Sequence, residues 1–367
     1  MPDSRLARLA AHGQSVWIDL LSREFVSSGE LAAMVANDSV SGLTSNPTIF
    51  QKAISGGHYD EAIVACLERT DDPREIFHEL AIGDVRAACD VLAPVYAASG
   101  GGDGYVSLEV DPDFARDAEA TLAQAVDLHG RVERPNLFIK IPATREGLQA
   151  IEDAVALGIS INVTLIFSLA RHREVAAAYQ RGLSRLLLAD GDPAAVSSVA
   201  SFFVSRVDTE VDRRLGELGR NDLAGRLGIA NARLAYAHFR EAFAGPSWDR
   251  LAAAGARAQR PLWASTSTKN PAYRDVMYVE ELIGRDTVNT MPPETLAAFR
   301  DHGEVRGDTV NEGLPEAEAL LAELADAGVD YDDVVETLER EGVAKFADSF
   351  DELIAGIEAK RGELVAR

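Results

Sequence analysis

Basic side chains are scarce in this chain: 36 Lys and Arg stand against 59 Asp and Glu, a formal net charge of −23. A field of that sign repels phosphodiester backbones and anionic lipid, so neither nucleic acid nor a membrane surface is an expected partner. Cysteine is nearly absent as well. Cys66 and Cys89 are the only two, both in helix-like segments, and without secretory context they read as free buried thiols. No window holds the roughly 18 uninterrupted apolar residues of a membrane span. The N-terminal MPDSRLARLAAHGQSVW also lacks an apolar stretch of signal-peptide kind, so the expected compartment is the cytoplasm.

Several chemistries lack their residues too. The seven histidines are scattered, with neither HxxxH nor HExxH spacing and none on an expected strand, which leaves metal chemistry without a ligand set. There is no G-x-S-x-G turn and no Walker-type loop. The glycines of Gly100–Gly104 precede a strand rather than follow one, the wrong side for a dinucleotide fingerprint. Neither a metal nor a cofactor is expected.

What the chain does have is alternation. Eight stretches have strand composition: Ser15–Leu20, Val40–Asn46, Tyr105–Asp111, Leu137–Thr144, Ile159–Phe167, Val199–Arg206, Leu262–Thr268 and Asp286–Met291. Several are too apolar to have one face in water, as strands of a covered parallel sheet are. Helical patterns lie between them, at Gly29–Asp38, Arg74–Ser99, Asp113–His129, Arg145–Leu157, Leu169–Ala189, Ser247–Ala258 and Pro271–Ile283. Eight βα units predict an α/β fold, a (β/α)8 TIM-type barrel, more readily than an open doubly wound sheet. About 58 residues separate the second and third strands and about 55 the sixth and seventh, room for helical insertions. Residues 304–367 read as a helical C-terminal extension, with helices at Glu316–Ala327, Tyr331–Glu341 and Ala344–Lys360, and residues 1–367 as a single domain.

Barrel chemistry sits at the C-terminal strand ends, where this sequence has a polar group on every strand. In strand order these are Asp19; Thr44, Ser45 and Asn46; Glu109; Lys140 and Thr144; Asn162 and Thr164; Ser201 and Arg206; Ser265, Ser267 and Lys269; Asn289 and Thr290. Period-two geometry puts Asn162 with Thr164 on one face, and Ser265, Ser267 and Lys269 on one face. Bland readings stand beside each. Asn46-Pro47 has the pattern of a helix cap and first turn, and Arg206 fits the following helix as well as the strand.

Lys140 is the exception. In NLFIKIPAT it has four residues on either side, well inside an apolar run. A buried amine without a partner loses proton affinity and becomes a nucleophile for carbonyls. One paired with a carboxylate, for instance Glu109, is a structural ion pair. The residues alone leave both readings open.

At this point the sequence resembles the transaldolases. VWIDL with Asp19, GLTSNPTIF with Asn46, VSLEV with Glu109, NLFIKIPAT with Lys140, INVTLIFS with Asn162 and Thr164, and SFFVSR with Ser201 and Arg206 occur in the family's order over roughly residues 15–300. The resemblance implies a metal-free, Schiff-base-forming transferase of the pentose phosphate pathway, resembling the larger bacterial branch. Such an enzyme moves a dihydroxyacetone unit from sedoheptulose 7-phosphate to glyceraldehyde 3-phosphate, giving erythrose 4-phosphate and fructose 6-phosphate. It also implies roles. Lys140 would form the Schiff base and Asp19 would be the acid/base at the donor hydroxyl. Glu109 and Thr164 would hold a proton-shuttling water. Asn46, Asn162 and Ser201 would bind the dihydroxyacetone hydroxyls, and Arg206 the phosphate.

One departure concerns the seventh strand. Two residues after the serine matching Ser265, many family members carry a phosphate-binding arginine, and here that position is Ser267. Lys269 is the expected substitute. The implied partners are small sugar phosphates, and the implied assembly a monomer or homodimer. Two rival expectations remain: an aldolase releasing free dihydroxyacetone from fructose 6-phosphate, and a catalytically silent sugar-phosphate-binding barrel.

Overall fold

A computed structural model of the chain describes residues 4–365. Its parallel strands are β1 Gln14–Asp19, β2 Val40–Thr44, β3 Val106–Glu109, β4 Leu137–Pro142, β5 Ile161–Ile166, β6 Ser198–Phe203, β7 Arg260–Ala264 and β8 Thr287–Met291. They form a closed barrel in chain order, β8 pairing back onto β1. The expected barrel and all eight of its strands are therefore present. No helix among the described residues is long and apolar enough to cross a membrane.

Alternation along each strand sorts side chains between two cores. Val16, Ile18, Leu43, Ile139, Ile161 and Val163 pack in one cluster with the surrounding helices. Their neighbours Trp17, Phe138, Val199, Leu262 and Val288 fall in a second cluster, the barrel interior. A Cβ on Gly42 would lie 2.3 Å from the Trp17 ring, so only glycine lets that indole fill the centre. The Trp17 Nε1 donates to Asp103 at 2.8 Å, and Arg260 Nη1 donates to Ser15 Oγ at 2.8 Å. The centre of the N-terminal end is thereby packed and hydrogen-bonded.

Several expected boundaries differ, each for a local reason. β6 stops at Phe203, and Arg206 belongs to the helix Ser205–Leu218. β7 stops at Ala264, because Ser265 takes a left-handed φ of 56° and breaks the extended run. The expected helix Pro271–Ile283 shrinks to Met277–Glu280. Its first half is a loop tethered by side chains: Tyr273 donates to Asp212 at 2.6 Å and Arg274 to Glu280 at 2.8 Å. The helix expected at Asp113 starts at Ala118 under an Asp117 cap.

The two helices expected at Tyr331–Glu341 and Ala344–Lys360 are one, Tyr331–Val365. Gly342, which falls between the two expected helices, is a close approach: a Cβ there would lie 3.1 Å from Leu165 and 3.5 Å from Phe167. Its missing side chain seats the helix on these two residues. Among the helices the sequence did not mark is Arg5–Ala11, capped by Ser4 at 3.1 Å to the Ala7 amide.

Candidate active site

The register of the sheet decides which polar side chains meet. Glu109 pairs with Lys140 and Lys140 with Asn162 across β3, β4 and β5, while Asp19 pairs with Thr44 across β1 and β2. Residues at one level of a closed barrel converge on its axis. Here they meet at the base of a cleft of about 570 Å³ at the C-terminal end.

Lys140 is the centre of the arrangement. Its side chain is only 7% exposed, and its Nζ donates to Glu109 Oε2 at 3.1 Å and to the Ser45 carbonyl at 3.0 Å. The structure thus realises the ion pair that the sequence left as an alternative. It does so inside the cleft wall, where an amine meets entering ligand. Burial pushes the Glu109 carboxyl above its ordinary range, with Lys140 pulling the other way. Asp19 is raised as well, burial outweighing Lys140, its Thr44 hydrogen bond and Arg206. Thr44 Oγ1 gives its one proton to Asp19 at 2.7 Å, so Thr290, 2.8 Å away, donates to Thr44.

The amide and hydroxyl residues form a second layer. Asn162 Nδ2 donates to Ser107 Oγ at 3.0 Å, and Ser201 Oγ donates to Asn162 Oδ1 at 2.7 Å. Asn162 is fully buried and held from two sides. Thr164, in the cleft wall, has a buried hydroxyl with no hydrogen-bond partner among the described residues. Such groups are rare in folded proteins unless water or ligand completes them. Asn46 caps the helix Pro47–Ile54 through Oδ1 at 3.1 Å to the Ile49 amide. Asn46 is thus the helix cap its pattern suggests, and it also lines the cleft.

Cations gather toward the outside. Arg206 stacks on Phe203 at 5.0 Å and on Phe346 at 5.9 Å. Burial lowers its proton affinity against the pull of Asp19 and Glu109. Ser265 hydrogen-bonds Ser205 at 2.9 Å, and Lys269 Nζ donates to Ser267 Oγ at 2.6 Å. Lys269 reaches the cleft from a loop rather than from the strand face expected of it. Burial lowers its pKa, Arg206 and Lys345 add to that, and Glu294 opposes them. Asn289, expected at the mouth, pairs in register with Val16, a residue of the outer core. It is buried there with neither amide atom partnered among the described residues.

The sequence did not mark Lys345 and Phe346, which line the cleft from the helix Tyr331–Val365. Nothing in VAKF distinguishes them from an ordinary amphipathic helix. The close-packed Gly342 one turn earlier was the one available signal.

Comparison with known proteins bears on this site. The profile of the transaldolase/fructose-6-phosphate aldolase family matches residues 16–357. A transaldolase of Parafrankia sp. is 53% identical over 361 residues, 97% of this chain and 98% of the relative. Transaldolase 1 of Streptomyces avermitilis is 52% identical over 356 residues, 96% of this chain and 94% of the relative. A transaldolase of Mycolicibacterium paratuberculosis is 51% identical over 362 residues, 97% of both chains.

Proposed function

The chain belongs to the transaldolase/fructose-6-phosphate aldolase family, and on that premise we propose that it transfers a dihydroxyacetone unit from sedoheptulose 7-phosphate to glyceraldehyde 3-phosphate through a Schiff base on Lys140. The family makes it an enzyme, a transferase. The observation that carries the finer reading is the buried Lys140 amine, held by Glu109 and the Ser45 carbonyl at the base of the cleft beside Asp19.

The geometry supports each step. Attack on the donor ketone needs a neutral amine, and Glu109, already less acidic than an ordinary glutamate, is placed to accept the Lys140 proton. The same proton returns to the departing carbinol hydroxyl through a water held by Glu109 and the free Thr164 hydroxyl. The protonated imine then serves as the electron sink, so the reaction is proposed to proceed without a metal. Asp19 takes the proton of the C4 hydroxyl, the C3–C4 bond breaks, and its electron pair moves into the enamine. A raised pKa makes Asp19 a stronger base than a solvated aspartate. Asn46, Asn162 and Ser201 hold the three-carbon fragment until the acceptor aldehyde arrives. Asp19 then protonates the new alkoxide.

Arg206 and Lys269 would hold the phosphate, with Ser265 beside them. The reaction places the protein in the pentose phosphate pathway and in the cytoplasm. Borohydride reduction in the presence of fructose 6-phosphate should leave a three-carbon adduct on Lys140, located by peptide mass. An unmodified Lys140 overturns the covalent reading and returns the pair with Glu109 to a structural role. Steady release of free dihydroxyacetone without an acceptor would make the enzyme an aldolase instead.

A further inference from the structure

The helix Tyr331–Val365 is fixed across the mouth of the barrel. Gly342 seats it on Leu165 and Phe167. Thr48 Oγ1 donates to Ser349 Oγ at 2.9 Å, and Lys360 reaches the Ile54 carbonyl at 3.1 Å and Asp60 at 2.7 Å. These bonds fasten it to Pro47–Ile54, the helix that Asn46 caps, and to the segment just beyond it. One helical turn beyond Gly342, Phe346 is buried, with its ring 5.7 Å from Lys140 Nζ and 5.9 Å from the Arg206 guanidinium. That one ring spans the inner and outer ends of the cleft.

Lys345, next to it, also lines the cleft. It lies close enough to Lys269 to disfavour that residue's charge, as Arg206 does. Arg206, Lys269 and Lys345 have no salt bridge to a carboxylate among the described residues, although the chain has 59 acids to offer. Three like charges brought together in one pocket repel one another unless an anion joins them. The helix that adds the third is anchored by bonds elsewhere along its length, so the backbone that carries the exposed Lys345 stays at the cleft whether or not an anion is bound.

We propose that Lys345 is a third ligand for the substrate's phosphate, which makes the C-terminal helix part of the specificity apparatus rather than a cover. The proposal rests on the sugar-phosphate reading above. A dianion bridging Arg206 and Lys269 from the barrel with Lys345 from the helix ties the two together. Phosphorylated substrates would then be selected by the C-terminal helix as well as by the helix Ser205–Leu218 and the loop that carries Lys269.

The test compares the full-length protein with Lys345→Met and Lys345→Arg. At one fixed donor concentration, kcat/KM is measured for glyceraldehyde 3-phosphate and for unphosphorylated glyceraldehyde. Inorganic phosphate is titrated separately by calorimetry at low ionic strength. Loss of one partly exposed cation should reduce the preference for the phosphorylated acceptor by about fivefold. Phosphate affinity should weaken by a similar factor, and Lys345→Arg should restore both. If Lys345→Met keeps the wild-type preference and phosphate affinity, the proposal is overturned. A wild-type protein that transfers nothing would sink the transferase reading alone. The phosphate titration would still decide Lys345: weaker binding in Lys345→Met supports it, and equal binding removes it.

Discussion

The inner and outer ends of the cleft are built on opposite principles. At the inner end opposite charges are packed together and committed: Lys140 to Glu109 and the Ser45 carbonyl, Asp19 to Thr44. At the outer end Arg206 and Lys269 make no salt bridge among the described residues: their direct contacts are aromatic rings and a serine hydroxyl, and Glu294 acts on Lys269 from farther off. A reacting centre benefits from groups already hydrogen-bonded in place, because no reorganisation is left to do in the transition state. A phosphate subsite benefits from the reverse, since cations neutralised by protein acids have little left for a ligand. On the proposed mechanism the first end serves the chemistry and the second the binding of phosphate. Substitutions should therefore act on kcat at one and on KM at the other.

The largest effect belongs to Lys140→Ala. Removing the only nucleophile should lower turnover by on the order of 10⁵-fold, measured as erythrose 4-phosphate formation. The variant also leaves Glu109 buried without its cation. A carboxyl whose folded pKa lies above its unfolded value holds its proton more tightly in the native state. It destabilises the fold as pH rises from the unfolded value through the folded one, and costs nothing below both. The variant should thus match the wild-type Tm in acid and fall behind it toward neutral pH. Retained turnover with a large stability loss would instead make the pair purely structural.

Asp19→Asn comes next. It keeps the shape and the Thr44 contact but removes the base, so kcat should fall by about 10²- to 10⁴-fold with KM for the phosphorylated acceptor little changed. On the proposed mechanism the deprotonated form of Asp19 is the active one. Activity should therefore decline as pH falls through a value above the ordinary aspartate range. That acid limb should vanish in the variant. A limb that survives unchanged would assign it to Glu109.

The inner end was legible in the sequence because strands write their geometry as a period of two. Once eight strands are marked, Asp19, Glu109, Lys140, Asn162 and Thr164 fall at the same ends, and register brings them into contact. Applied to β8, the same rule turns Asn289 away from the face that carries Thr290. It fails where the chain leaves the sheet. Ser267 and Lys269 lie beyond the left-handed Ser265, where strand alternation has no meaning. Lys269 reaches the cleft all the same, by way of a loop tethered at Tyr273 and Arg274. Lys345 and Phe346 come from a helix whose placement depends on packing roughly 180 residues away in sequence, against Leu165 and Phe167. Local patterns do not record contacts at that range.

A smaller effect than either, and the sharpest test of the division, is that of Lys269→Ala. Lys269 stands near the position where many transaldolases carry an arginine, and it is the loop's only cation in the cleft. Arg206, planar and stacked between Phe203 and Phe346, is pre-shaped for bidentate contact with phosphate, whereas a lysine offers a single flexible point charge. Loss of the Lys269 charge should therefore raise KM for glyceraldehyde 3-phosphate by about tenfold. The rise should be smaller than that from loss of Arg206, with kcat nearly constant and the effect shrinking in high salt. Its uncharged neighbour should also respond. With Lys269 gone, the 2.6 Å bond no longer ties position 267, so Ser267→Arg combined with Lys269→Ala should put a guanidinium back at the outer end and recover the lost affinity. If Lys269→Ala instead lowers kcat and leaves KM alone, the outer end takes part in the chemistry, and the separation of binding from catalysis along the cleft does not hold.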